Sequence, residues 1–155
     1  LLEAWIGPEG FGSTVVKADP SSAIADILAG MEGCLAEVAD GKLGGAFDAN
    51  DAGELESTFS GNTGTDIVFN IKGVKTAWEK SKLKEYASSK NAELSSTLSS
   101  QIDKSLELAN QLPGSLNDQL TNESTKETVD KLRTVLTSAA ETAVSLASEL
   151  KIYKK

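Results

Sequence analysis

The last quarter of the chain repeats apolar residues at intervals of three and four over several helical turns. These residues are Val129, Leu132, Leu136, Ala139, Ala143, Leu146 and Leu150. This spacing puts them all on one face of an α-helix, and a strand cannot do so. The same period recurs around Ile24 to Val38, Ile67 to Trp78 and Leu94 to Leu112. The sequence therefore predicts an all-α fold, an antiparallel helical bundle, treated as a single domain over residues 1–155.

Glycine and proline set the expected boundaries of these helices. Four breakers, Gly7, Pro8, Gly10 and Gly12, predict an irregular lead-in over residues 1–18. Asp19 followed by Pro20 is a typical helix start, and Asp40-Gly41 is a typical helix end. Residues 41–64 then read as a long, Gly-rich, acidic loop, and loops of that length are often functional.

Two signals lie before the last helix. Ser124 and Glu127 have the spacing of a capping box that opens this helix. Asn122-Glu123-Ser124 matches a glycosylation sequon, but we favour its interpretation as a helix start.

Charge and composition exclude several classes of function. A net charge of −8 disfavours nucleic acid as a partner and also disfavours anionic membrane surfaces. The chain has no histidine, so it cannot by itself form a His-based triad or a His–metal site. Cys34 is the only cysteine, which excludes an intrachain disulfide, and its helical spacing predicts burial. No apolar run reaches the roughly 20 residues of a transmembrane segment.

An acidic cluster in the glycine-rich loop is a candidate for binding a hard cation such as calcium. Its members are Asp48, Asn50, Asp51, Glu54 and Glu56. The spacing fails the EF-hand pattern, because Ala52 and Phe59 stand where oxygen ligands belong. Glu54 and Glu56 would also suit paired acid–base chemistry, but no nucleophile lies nearby. We expect a solvated acidic loop.

The segment from Glu56 to Gly73 is rich in polar residues and leads into an amphipathic helix. Within it, Thr63, Asp66 and Asn70 share one helix face. Two interpretations stay open: helix capping by Asn62 or Thr63 with one satisfied polar contact, or a functional polar pocket.

This segment resembles the signature of the imelysin family, of the type Ser-x-Phe-Ser-x-Asn-Thr followed by Asp, Asn and Gly. The stretch from Ile24 to Gly45 is similar to the family helix that ends in a glycine-rich loop. The stretch from Leu94 to Leu150 is similar to the closing helical hairpin. Only Ser57 to Gly73 is specific to the family.

The resemblance implies one half of a double-bundle fold, with a site in the groove between the bundles. It assigns one wall of that groove to Ser57, Phe59, Ser60, Asn62, Thr63, Asp66 and Asn70. Glu54, Glu56 and Asp66 are candidate metal ligands, and iron or another divalent metal is the implied cofactor. The family motif Gly-x-His-x-x-Glu is missing here, because the chain contains no histidine. Either a missing N-terminal half or a partner chain carries this motif, or the protein has lost it. We favour the missing half, with Leu1 an internal start.

Three hypotheses about function follow. The first is a non-catalytic binding protein of the bacterial envelope, periplasmic or anchored to the outer membrane as a lipoprotein, linked to iron or haem uptake. The second is the C-terminal half of a metallopeptidase-like protein. The third is a plain helical interaction bundle without a pocket.

Overall fold

The computed structural model of the chain describes residues 3–4 and 7–150. Over these residues it is helical and contains no strand, so the predicted all-α helical bundle is confirmed. The elements, in chain order, are α1 (Phe11–Ala18), α2 (Pro20–Ala36), a π-helical segment (Glu37–Gly44), α3 (Gly45–Ala49), a 3-10 turn (Ala52–Glu54), α4 (Thr63–Lys80), α5 (Leu83–Lys90), α6 (Ala92–Ala109) and α7 (Glu123–Glu149).

Helix α7 is the central element of the bundle and packs along both α6 and α2. Its predicted apolar face is buried along its whole length, from Val129 to Leu146. Helix α4 packs against α6 and α2, and its Trp78 is 1% exposed. The Trp78 indole Nε1 donates to Ser99 Oγ at 2.9 Å, which satisfies the one polar group of this large core side chain.

Side-chain caps fix the starts of α2 and α7. Asp19 Oδ1 accepts from the Ser22 amide at 3.0 Å, as predicted for the start of α2. At α7 the cap is Asn122, whose Oδ1 accepts from the Thr125 amide at 3.1 Å. The predicted capping box at Ser124 was therefore wrong, because an asparagine two residues earlier takes the capping position.

The irregular lead-in was also predicted wrongly in part, because α1 occupies residues 11–18. Three of the helix-breaking residues, Gly7, Pro8 and Gly10, lie in the turn just before α1. The Gly7 amide donates to the Glu3 carbonyl, and the Gly10 amide donates to the Gly7 carbonyl. Gly12 remains inside α1, where one glycine weakens a helix without ending it.

Residues 41–64 are not the continuous loop that was predicted. The helix that begins at Pro20 does not stop at Gly41 but continues as the π-helical segment and then as α3. It ends at Asn50, whose φ of 52° is left-handed. Leu43 and Phe47 are buried along this extension, so tertiary packing outweighs the helix-ending tendency of its three glycines, Gly41, Gly44 and Gly45.

No helix in the described part of the chain combines the length and apolar character that crossing a membrane requires.

Candidate functional site

The loop between the 3-10 turn and α4 has a fixed backbone. Leu55 is buried at its base, and the Thr58 hydroxyl donates to the carbonyls of Ala52 and Leu55 at 2.6 and 2.7 Å. The loop closes at Gly61, whose φ of 66° is a conformation that favours glycine. These contacts hold the signature residues in place before α4 begins.

The start of α4 docks onto the turn after α6 through backbone atoms. The Gly64 amide donates to the Gly114 carbonyl at 2.9 Å. A Cβ atom on residue 64 would lie 2.0 Å from the Pro113 oxygen, so glycine is required here. Asn117 Nδ2 adds a second link by donating to the Thr58 carbonyl at 2.8 Å. Two stretches that are distant in sequence thus form one surface.

Ser57 and Asp66 form the polar pair of this surface. The Ser57 hydroxyl donates to Asp66 Oδ2 at 2.5 Å, and both residues are half-buried. The hydrogen bond joins the loop to the first turn of α4. It leaves one carboxylate oxygen of Asp66 without a described partner, so this oxygen can accept a hydrogen bond or approach a cation.

Asn62 and Thr63 occupy the start of α4 without using their side chains as caps. Asn62 is the N-cap residue but makes no side-chain capping bond. Thr63 is 2% exposed, and its hydroxyl has no hydrogen-bond partner among the described residues. Capping by either side chain was one of the two open interpretations, and the structure contradicts it.

Phe59 and Ser60 lie at the tip of the loop. Phe59 is fully exposed, and Ser60 Oγ donates to the Ser57 carbonyl at 3.3 Å. A fully exposed phenylalanine on a well-fixed loop is an apolar surface available for contact with another molecule.

Asn70 faces a different neighbour from Ser57 and Asp66. It lies on the side of α4 that meets α2, where its carbonyl is 3.9 Å from the Cys34 thiol. Cys34 is half-buried, not fully buried as expected, and it lines a groove of about 410 Å³ between α2 and α4. Burial raises the pKa of the Cys34 thiol, and the nearby Lys42 opposes that rise.

The predicted acidic loop is tied to the bundle by ion pairs. The Asp48 carboxylate accepts hydrogen bonds from both Nη groups of Arg133, at 2.8 and 3.0 Å. This bidentate pair lowers the pKa of the Asp48 carboxyl. Glu56 pairs with Lys42, and Asp51 accepts from the Gly53 amide at 2.8 Å. The described residues include no group of three or more acidic or cysteine side chains arranged to hold a metal ion. Glu54, Glu56 and Asp66 are thus not gathered into a metal centre.

No local sequence signal indicated the roles of three features that position this region, namely Arg133, Asn117 and the Pro113–Gly114 turn. A turn at Pro113–Gly114 was foreseeable from its residues, but its contact with Gly64 was not. Similarly, Arg133 is half-buried on α7, and nothing in its local sequence links it to Asp48.

Comparison with protein-family models matches residues 1–143 to the family described as Imelysin. Searches of curated proteins and of solved structures each found no significant match.

Proposed function

The chain belongs to the imelysin family, and from that premise we propose that it is a non-catalytic binding protein of the bacterial cell envelope. Its role would be in iron or haem uptake. The ligand would contact the surface built by the loop before α4 and by the first turns of that helix.

The observation that carries this proposal is the combination of Phe59, exposed on a fixed loop, with the Ser57–Asp66 pair that joins this loop to the first turn of α4. Phe59 offers an exposed ring for an apolar ligand surface, such as the face of a porphyrin. Asp66 offers a carboxylate oxygen for a cation. Since the loop backbone is already held by Thr58 and Asn117, binding would require little ordering of the chain.

The surface would supply one wall of a site and not a complete ligand set. The chain lacks histidine, and the described residues gather no three-ligand group for a metal. Further ligands would come from a second half or a partner chain that carries the family His motif. A bound metal ion would then be held jointly, with Asp66 as this chain's contribution.

Titration of the full-length protein with ferrous iron, ferric iron and haem tests the proposal. We expect binding of at least one of the three, weakened at least tenfold by Asp66→Asn or Phe59→Ala. Asp130→Asn, which removes an exposed carboxylate on α7, is the matched control and should leave affinity unchanged. The proposal would be overturned if no binding were detected and expression of the protein did not respond to iron starvation. It would favour the plain interaction bundle.

A further inference from the structure

Lysine is concentrated in one short part of the chain, residues 72–90, which run from the middle of α4 to the end of α5. This segment holds six of the chain's 15 lysine and arginine residues, all of them lysines, and two of its 23 acidic residues. Six lysines and two glutamates give the segment a net charge of +4, so the chain total of −8 leaves −12 for the rest. The average charge therefore hides a basic region within an acidic protein.

The lysines of α4 form a row on its exposed face. Phe69, Lys72, Thr76 and Lys80 recur at spacings of three, four and four, which aligns them along the helix, and each is exposed. The row is about 17 Å long at 1.5 Å per residue. Lys82 follows it in the turn before α5 and is also exposed. These five residues together are called the lysine ridge below.

The lysines of the ridge are not used to balance charge inside the molecule. None of the three forms an ion pair with a residue that the structure describes. The nearby carboxylates of Glu79 and Asp103 both pair with Lys75, on the side of α4 that faces α6. On the other side, Asp26 of α2 lines the groove next to Phe69. Three ammonium groups in a row are thus available to an anionic partner.

Lys82 has a backbone conformation that favours glycine. Its φ is 66°, and it directly follows Ser81, the C-cap residue of α4, at a position where helices commonly end on glycine. Its side chain makes no capping hydrogen bond at the start of α5. The fold gives no reason for lysine here, whereas contact with an anionic partner would.

Exposed aromatic rings accompany the lysines. Lys72 Nζ lies 4.9 Å from the centroid of the Phe69 ring, which is 63% exposed. On α5, Lys90 Nζ lies 5.7 Å from the centroid of the Tyr86 ring, which is 39% exposed. A ring beside an ammonium group suits the boundary of a lipid bilayer, because the ring can enter the apolar layer while the lysine stays among the headgroup phosphates.

The use of lysine without arginine favours a lipid surface over a protein partner. Protein interfaces are depleted in lysine and enriched in arginine, whereas clustered lysines are attracted as point charges to anionic headgroups. The negative charge of the whole chain does not prevent this, since a membrane meets one face of a protein. A bundle two helices thick is about 20 Å across, and the Debye length is about 8 Å at physiological ionic strength, so acidic residues on the far side are screened.

We propose that the lysine ridge binds a membrane surface that carries anionic phospholipids. The lysines contact headgroup phosphates, and the Phe69 ring enters the upper part of the acyl layer. Binding is weak and reversible, because each lysine near such a surface strengthens it only about fivefold. This inference concerns a different face from the ligand surface and does not rest on the proposed function.

Co-sedimentation of the full chain with lipid vesicles tests the proposal. One set of vesicles is phosphatidylcholine alone, and the other contains an equal amount of phosphatidylglycerol. We expect binding to the anionic vesicles only, and its loss when the salt concentration is raised from about 0.1 M to about 1 M, where the Debye length falls to roughly 3 Å. Lys72→Gln, Lys80→Gln and Lys82→Gly should each weaken binding about fivefold. Phe69→Ala should weaken it without changing its dependence on salt.

Lys131→Gln is the matched control, because Lys131 is an exposed lysine on α7 and its loss changes the net charge by the same amount. Phe59→Ala is the control for Phe69→Ala, because Phe59 is also exposed but lies on the loop before α4. Both controls should bind as the parent does. Lys82→Gly should keep or raise the melting temperature, which separates weaker binding from misfolding.

Two outcomes would overturn the proposal. One is an equal loss of vesicle binding in the ridge variants and the controls, which would show that the ridge has no special part in it. The other is no binding to anionic vesicles at low salt, which would leave an acidic protein as the partner that the lysines fit.

Discussion

The backbone amide of Gly64 donates to the carbonyl of Gly114 at 2.9 Å, and this contact joins the start of α4 to the turn after α6. The Pro113 oxygen lies so close that a side chain on residue 64 has no space. The family signature and the Leu-Pro-Gly turn are thus two parts of one surface.

Gly64→Ala should destabilise the protein by about 3 kcal/mol, because its Cβ atom would overlap the Pro113 oxygen and force the turn away. Unfolding in urea, followed by circular dichroism, measures the change. Gly45→Ala has open space at the same atom and should instead be neutral or stabilising. Equal effects of the two substitutions would show that the close approach at residue 64 is absent.

The Asp48–Arg133 pair should make stability depend on pH in the acidic range. The pKa of Asp48 is lowered in the folded protein, first by the hydrogen bonds from Arg133. Its contribution is therefore complete above the unfolded pKa of about 3.9 and is lost as the pH falls through the lower folded pKa. Asp48→Asn should be less stable than the parent at pH 7, and the difference should shrink below about pH 4.

Urea unfolding at several pH values measures this difference for Asp48→Asn. Glu85→Gln is the control, because Glu85 is an exposed carboxyl on α5 without a described ion pair. Its stability should follow the parent at every pH. A difference for Asp48→Asn that persists unchanged at pH 3 would contradict an electrostatic origin.

Thr63→Val should stabilise the protein by about 1 kcal/mol. The Thr63 hydroxyl is buried, and no residue that the structure describes hydrogen-bonds to it, whereas valine has the same shape without that polar group. Thr125→Val is the contrasting variant, because the buried Thr125 hydroxyl donates to Gln119 Oε1 at 3.2 Å. It should lower stability by about 1 kcal/mol. Thermal unfolding compares the two variants. If Thr63→Val lowers the melting temperature more than Thr125→Val does, the Thr63 hydroxyl forms a hydrogen bond in solution.

Phe59→Ala should change the free energy of unfolding by less than about 0.5 kcal/mol, because the ring is fully exposed. Phe47→Ala, at a ring that is 9% exposed, should cost about 3 kcal/mol or more. Chemical denaturation compares the two directly. A large loss for Phe59→Ala would mean that its ring packs against the protein and is not free to meet a ligand.

The sequence predicted the long helices well because their signals are local. The apolar spacing along α6 and α7 depends on residues within a few helical turns of each other. The same holds for the start of α2 at Asp19–Pro20. The shared polar face expected for Thr63, Asp66 and Asn70 was read from helical geometry alone, and the structure separates its members: Asp66 pairs with Ser57, whereas Asn70 lines the groove between α2 and α4.

Contacts between distant segments could not be predicted in this way. The helix continues past Gly41 because buried side chains and the Asp48–Arg133 pair favour it, and no local pattern encodes that pair. Ser57 meets Asp66 only once the loop has been folded back by Thr58 and Asn117. The polar segment was therefore recognisable from the sequence. The separation of Asn70, at the groove between α2 and α4, from the Ser57–Asp66 pair was not.

The π-helical segment Glu37–Gly44 has a consequence for how the length of this protein can vary in evolution. A π-helix closes its hydrogen bonds between residues five apart, so each turn holds more chain than an α-helical turn. If one residue inside the segment is deleted, the backbone hydrogen bonds can change from the π-helical to the α-helical pattern, and the helices on either side keep their positions. The same deletion within α6 would rotate every following side chain by about 100° and expose the apolar face. The segment is thus a place where the chain can lose a residue while the bundle around α7 keeps its register.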